Sequence, residues 1–190
     1  VVTASKRAMV VADLPFGSYE SSPELALATS TRFFKEAGAM AVKLEGAHLE
    51  TVKKLVAVGI PVMGHLGLTP QSLHQLGGYR VQGRTDGDVI LAAALELEKA
   101  GAFAIVLELV PAELAARITA ALKIPTIGIG AGVNCDAQVL VWTDLMGMGK
   151  SAPKLAKAYR NLRVEMLAAT KEWSDDVIGG VFPGPEQTFN

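Results

Sequence analysis

Five side chains able to do chemistry sit at the carboxyl ends of short apolar runs: Asp13, Lys43, Glu45, His65 and Glu108. Asp13 closes Met9-Val10-Val11-Ala12-Asp13. Lys43 and Glu45 lie in Ala41-Val42-Lys43-Leu44-Glu45, and alternate residues of an extended strand face the same way. His65 falls in Val62-Met63-Gly64-His65-Leu66, and Glu108 follows Phe103-Ala104-Ile105-Val106-Leu107. A lysine and a carboxylate on one face can hold a substrate carboxylate and a hard metal, and Asp13 adds a second oxygen ligand of the kind Mg²⁺ takes. An unpaired carboxylate at Glu108 would be costly to bury after so apolar a strand, and a group so placed suits proton transfer. His65 would orient a ligand or close a hydrogen-bond network. Each residue also has a plainer reading. Asp13 would satisfy a loop amide, Lys43 and Glu45 would form a structural ion pair, and Glu108 would anchor a loop.

Other reactive residue types read as structural. Cys135 is the only cysteine, which excludes a disulfide framework and a thiolate metal cluster within one chain. It points to a reducing cytoplasm. His48 and His74 fall at loop or helix edges. Gly128-Ile129-Gly130-Ala131-Gly132 superficially resembles a dinucleotide-binding loop, but no well-formed helix follows directly. Close packing at a barrel rim accounts for those glycines. Trp142 and Trp173, two isolated rings, are expected to serve packing.

The elements that must position these residues alternate along the chain. Strands are expected over Met9–Asp13, Ala41–Glu45, Val62–Leu66, Ala104–Leu109, Thr126–Gly130 and Gln138–Trp142. Helices are expected from Ser21-Ser22-Pro23-Glu24 to Ala37, then near Glu50–Val58, Asp88–Ala100 and Ala112–Leu122, with a mainly helical tail over Lys154–Ile178. Either serine can cap the first helix, and Pro23 suits its first turn. Thr69 to Arg84 reads as a long Gly-rich loop, with a short helix capped by Thr69. The strands are continuous apolar runs, as parallel strands covered on both faces require.

An internal echo sharpens the architecture. Ala37-Gly38-Ala39-Met40-Ala41-Val42-Lys43-Leu44-Glu45 repeats as Ala100-Gly101-Ala102-Phe103-Ala104-Ile105-Val106-Leu107-Glu108, and Ile60-Pro61-Val62-Met63-Gly64 as Ile124-Pro125-Thr126-Ile127-Gly128. A (β/α) barrel produces such repeats and places its chemistry at strand carboxyl ends. Six strand candidates are visible where a closed (β/α)8 TIM barrel has eight. The fold is therefore an open sheet, or a barrel whose first two strand–helix units are absent from this sequence. The start at Val1-Val2-Thr3, without an initiator methionine, favours the second expectation.

Half of the 190 residues are hydrophobic and 19% are charged, which fits a single domain over residues 1–190 with a sizeable core and a helical tail. A formal net charge of -1 excludes an electrostatic grip on nucleic acid or an anionic membrane. Charges interrupt every apolar run before it reaches spanning length.

Several runs resemble the ketopantoate hydroxymethyltransferase family: Val11-Ala12-Asp13-Leu14-Pro15-Phe16, Val42-Lys43-Leu44-Glu45-Gly46, Gly64-His65-Leu66-Gly67-Leu68-Thr69-Pro70-Gln71-Ser72, Gly77-Gly78-Tyr79-Arg80-Val81-Gln82-Gly83-Arg84, Leu107-Glu108-Leu109-Val110-Pro111, Ile127-Gly128-Ile129-Gly130-Ala131-Gly132 and Gly180-Val181-Phe182-Pro183. The resemblance covers essentially the whole chain. It implies a (β/α)8 barrel of the phosphoenolpyruvate mutase and isocitrate lyase type. It also implies transfer of a one-carbon unit from 5,10-methylenetetrahydrofolate to 3-methyl-2-oxobutanoate, with Mg²⁺ bound. By matching motif, Asp13 resembles a metal ligand that also touches substrate, Lys43 a group contacting the oxo acid, Glu45 a metal-site carboxylate and Glu108 the catalytic proton acceptor. His65 matches a histidine near the site, expected to contact substrate.

The family also carries an earlier strand ending in Gly-Asp-Ser, which this sequence starts after. The loop after Glu45 and the stretch near Gly149-Lys150-Ser151 are shorter than the family pattern, and Phe189-Asn190 replaces a usual Phe-His. The resemblance further implies a homo-oligomer, with decamers represented, and a cytoplasmic enzyme that binds neither nucleic acid nor membrane. The readings beside it are another Mg-dependent lyase, mutase or aldolase of small 2-oxo acids, and a non-catalytic assembly scaffold.

Overall fold

A computed structural model describes residues 1–189; Asn190 lies outside the described residues. Six parallel strands pair in sequence order: β1 (Val11–Asp13), β2 (Ala41–Lys43), β3 (Val62–Gly67), β4 (Ala104–Glu108), β5 (Thr126–Ile129) and β6 (Ala137–Gln138). Helices α1 (Pro23–Ala37), α2 (Leu49–Ala57), α3 (Gly87–Lys99) and α4 (Ala112–Ala121) alternate with them. This is the arrangement of a partial (β/α) barrel, with β1 and β6 as its two edges. Backbone packing divides the chain into two compact units, Val1–Val139 and the segment from Leu140 onward. The sheet and all five candidate residues belong to the first.

Local chemistry explains the helices. Ser22 caps α1, its hydroxyl accepting from the Leu25 amide at 3.1 Å, with Pro23 in the first turn and Gly38 ending the helix in a left-handed conformation. The buried stripe Thr51, Val52 and Leu55 seats α2, and Leu114, Ala115 and Ile118 seat α4. The repeated segments prove structurally equivalent, since β2 and β4 are one echoed pair and β3 and β5 the other.

The sheet sorts its residues onto two faces. Val42, Leu44, Val62, Leu66, Ile105 and Leu107 belong to the main core cluster, which also holds Leu55, Leu97 and Ile118 of the helices. Register pairs Asp13 with Lys43, Lys43 with Met63, His65 with Val106 and Gly67 with Glu108. Because facing alternates along each strand, Asp13, Lys43, His65 and Glu108 all share the opposite face.

Several expectations are corrected. The strand expected over Gln138–Trp142 is only the two-residue β6. After the Val139 amide donates to the Gly128 carbonyl, its partner β5 ends at Ile129 and turns at Gly130, so no backbone remains to pair. Trp142 instead opens a short helix, α5 (Trp142–Leu145). The tail is helical only as α6 (Leu162–Ile178). Before it, the Tyr159, Leu162 and Arg163 amides donate to the carbonyls of Leu145, Met146 and Gly147, which takes that segment out of a helical ladder. Trp142 and Trp173 are largely exposed rather than packed. A short 3₁₀ turn does follow Thr69, at Pro70–Ser72, but the Thr69 hydroxyl does not cap it.

Candidate active site

The carboxyl ends of β1 to β4 bring all five candidate residues into one connected group. Asp13 and Lys43 are register partners, and Lys43 Nζ lies 2.8 Å from Asp13 Oδ1. The structural alternative for Lys43 therefore points to the wrong carboxylate: its ion pair is with Asp13, not Glu45. The Lys43 side chain is 17% exposed and that of Asp13 55%, so the ammonium is held inward and the carboxylate reaches solvent.

Lys43 Nζ also lies 3.3 Å from His65 Nδ1. An ammonium only donates, so Nδ1 accepts and the ring proton sits on Nε2. Nε2 is buried and makes no hydrogen bond, yet it stands 3.3 Å from Glu108 Oε2. His65 thus carries Lys43 on one nitrogen and faces Glu108 with the other.

Backbone geometry sets where Glu108 stands. Leu68 donates its amide to the Glu108 carbonyl at 2.8 Å. That approach requires Gly67, whose φ is +92° and where an added Cβ would collide with the same carbonyl. The next residue, Leu109, has φ +46° without being glycine, a left-handed turn that a leucine adopts only under constraint. Its amide donates to Ile129 and its carbonyl accepts from Gln82, both at 2.9 Å. Strand β5 and the loop before α3 therefore hold the turn that aims Glu108.

Glu45 lies just past β2, where Leu44 and Gly46 still donate to Met63 and His65. It is buried, which pushes its carboxyl above the usual carboxylate range. The Gln71 amide, His65 and Lys43 act against that rise, while the nearby negative charge of Asp13 adds to it. Glu45 Oε2 accepts from the Gln71 amide at 2.8 Å, and Oε1 is 4.0 Å from His65 Nδ1. Asp13 and Glu45 are the hard oxygen donors available for a cation. Among the described residues no group of three or more His, Cys, Asp or Glu side chains is poised to hold a metal ion unaided.

Two further residues join the group that their types did not single out. The Tyr19 hydroxyl donates to Gln71 Oε1 at 2.7 Å and accepts from the Glu45 amide at 3.3 Å, and Gln71 Nε2 donates to the Leu14 carbonyl at 2.9 Å. Gln71 lies within the run that carries the resemblance, which was the one available signal. His48 does not join the charged group; its ring packs edge-on against Tyr19 with centroids 5.3 Å apart. His74 lies exposed in the following loop. After β5, Gly132 serves close packing, since a Cβ there would stand 2.5 Å from the Ala112 Cβ. Cys135 packs partly buried against the core.

The 3-methyl-2-oxobutanoate hydroxymethyltransferase of Frankia alni (strain DSM 45986 / CECT 9034 / ACN14a) is 58% identical over 193 residues, covering 100% of this chain and 64% of the relative. That of Saccharopolyspora erythraea is 58% identical over 194 residues, covering 100% and 66%. That of Mycobacterium ulcerans (strain Agy99) is 55% identical, covering 100% and 65%. The chain thus spans about two thirds of the length of these relatives. Among solved structures, a phosphonopyruvate hydrolase is 14% identical with a TM-score of 0.49, covering 95% of this chain and 64% of that one. An enolase from Gibberella zeae PH-1 is 18% identical with a TM-score of 0.43, covering 66% and 30%. No helix among the described residues is long and apolar enough to cross a membrane. Residues 1–185 match the sequence profile described as ketopantoate hydroxymethyltransferase, and the chain belongs to that family.

Proposed function

We propose that the protein transfers a hydroxymethyl group from 5,10-methylenetetrahydrofolate to 3-methyl-2-oxobutanoate, giving 2-dehydropantoate. The observation that carries this reading is the placement of Lys43 and Glu108 on the two nitrogens of His65, in a chain of this family. An anion-binding group and a proton acceptor then serve one substrate from one face of the sheet.

The roles follow from charge and position. Lys43 binds the oxo acid and balances its negative charge. Glu108 takes the proton from C3, and the carbon left electron-rich forms a bond to the methylene carbon released by the folate. Water supplies the hydroxyl group, its other proton and the C3 proton go to the two folate nitrogens, and tetrahydrofolate departs, so the atoms balance. His65 keeps Lys43 in place through Nδ1 and presents Nε2–H toward substrate and Glu108.

Asp13 and Glu45 fit a magnesium ion: they are hard oxygen donors whose negative charges disfavour each other across the site, and Mg²⁺ is commonly held by one or two carboxylates plus waters and substrate oxygens. When bound, such an ion would supply Lewis-acid stabilisation of the negative charge that develops on the keto oxygen. The same reading places the protein in the cytoplasm as a homo-oligomer, a decamer by family resemblance.

The test is loss of the C3 proton of 3-methyl-2-oxobutanoate in deuterated water, followed by NMR with and without Mg²⁺. Exchange that needs both protein and metal supports the reading. Absence of exchange, with turnover of a different small 2-oxo acid, would move the assignment to a metal-dependent lyase, mutase or aldolase.

A further inference from the structure

Glu45 is held from two sides by residues outside the charged group. We propose that Tyr19 and Gln71 form a clamp that positions Glu45 for a divalent cation. The proposal rests on the reading of Asp13 and Glu45 as cation ligands.

The clamp is a closed ring of hydrogen bonds. The Glu45 amide donates to the Tyr19 oxygen, the Tyr19 hydroxyl donates to the Gln71 side-chain carbonyl, and the Gln71 amide donates back to Glu45 Oε2. The other end of the Gln71 side chain donates to the Leu14 carbonyl. Residues following β1, β2 and β3 are thereby tied together at the site, across sequence separations of 26 to 57 residues.

The ring also decides which oxygen of Glu45 is left over. Oε2 is occupied by the Gln71 amide, whereas Oε1 has only His65 near it, at 4.0 Å and too far for a hydrogen bond. Oε1 is left without a donor on a side chain that is otherwise largely buried, and a cation is a partner that would engage this oxygen together with Asp13. Tyr19 is itself 2% exposed, with the His48 ring edge-on behind it, so its hydroxyl is fixed. Neither residue touches the reacting atoms in this scheme, so both are positioning residues.

Tyr19→Phe removes one oxygen and leaves the ring packed. Gln71→Met keeps the backbone amide and removes both side-chain bonds. The probe is Mn²⁺, titrated into the protein and followed by the EPR signal of the free ion. Each substitution is expected to weaken Mn²⁺ binding about tenfold, and the double variant no more than twofold beyond the weaker single. C3 exchange should return to within threefold of the unsubstituted rate when the cation is raised to saturation, which a merely structural defect would not permit. Unchanged Mn²⁺ affinity in Tyr19→Phe overturns the proposal, as does fully multiplicative behaviour of the two substitutions, or a parent protein that binds no Mn²⁺. If Gln71→Met fails to fold, Tyr19→Phe alone decides. Weakened Mn²⁺ binding in a protein that never exchanges the C3 proton would retain the clamp and reject the substrate assignment.

Discussion

His65 Nε2 lies 3.3 Å from Glu108 Oε2 without the alignment of a hydrogen bond, and it is buried with no other partner. An orphaned buried donor of this kind costs about 1–3 kcal/mol, so the arrangement trades stability for a donor ready to engage a ligand. His65→Leu is expected to leave stability unchanged or raise it by about 1 kcal/mol, while C3 exchange falls. Urea unfolding checks the first part. A loss of more than about 2 kcal/mol would show that the histidine is structural.

Glu108→Gln removes the proton acceptor with little change in shape. Exchange of the C3 proton should fall by about 10²–10⁴-fold, with binding of the oxo acid, measured by calorimetry, kept within about threefold of its original value. Unchanged exchange in this variant would falsify the assignment of Glu108 as base.

Gly67→Ala tests the close approach that aims Glu108. The added Cβ would meet the Glu108 carbonyl and lie 2.7 Å from Val110 Cγ1, at a φ of +92° that L residues rarely adopt. A loss of about 2–4 kcal/mol in unfolding free energy is expected from strain and overpacking together. Stability within about 0.5 kcal/mol of the original would mean that the strand ends are softer than their geometry implies.

The buried carboxyl of Glu45 makes stability depend on pH in a definite direction. Its folded pKa is raised, chiefly by desolvation, so between the ordinary carboxylate range and that raised value the folded chain holds more protons than the unfolded chain. Stability from this group is therefore fully present at low pH and declines as pH rises through that window. Glu45→Gln abolishes the decline. Subtracting the unfolding temperature of the variant from that of the parent should give a difference that falls from acid to neutral pH in the absence of divalent cation. A difference that rises with pH would contradict the assignment.

Tyr19 offers a spectroscopic check on the same region. Burial pushes its phenol up to about 12, opposed by the Glu45 amide, whereas Tyr79 and Tyr159 are exposed. Phenolate absorbance should thus show one of the three tyrosines ionising late, and Tyr19→Phe should remove that late step alone. Loss of an early step instead would place Tyr19 in solvent.

Much of the fold was legible because its signals are local. Ser22, Pro23 and Gly38 mark the ends of α1 by capping chemistry, and the apolar runs around Val42 and Val106 can only be strands covered on both faces. Where a signal depended on a neighbour, it misled. Val139-Leu140-Val141 has the composition of a strand, but the pairing strand ends first, and Trp142 turns into a helix.

The candidate site divides the same way. The positions of Asp13, Lys43, Glu45, His65 and Glu108 at strand ends were readable from the sequence alone, because each polar side chain there interrupts or closes an apolar run. Tertiary structure decided their partners. Lys43 pairs with Asp13 because strand register sets them side by side, and the Gln71 amide reaches Glu45 because the turn after β3 folds back across the end of β2. Residue types and spacing fix which face of a strand a side chain occupies. Distances between side chains on different strands exist only once those strands have paired.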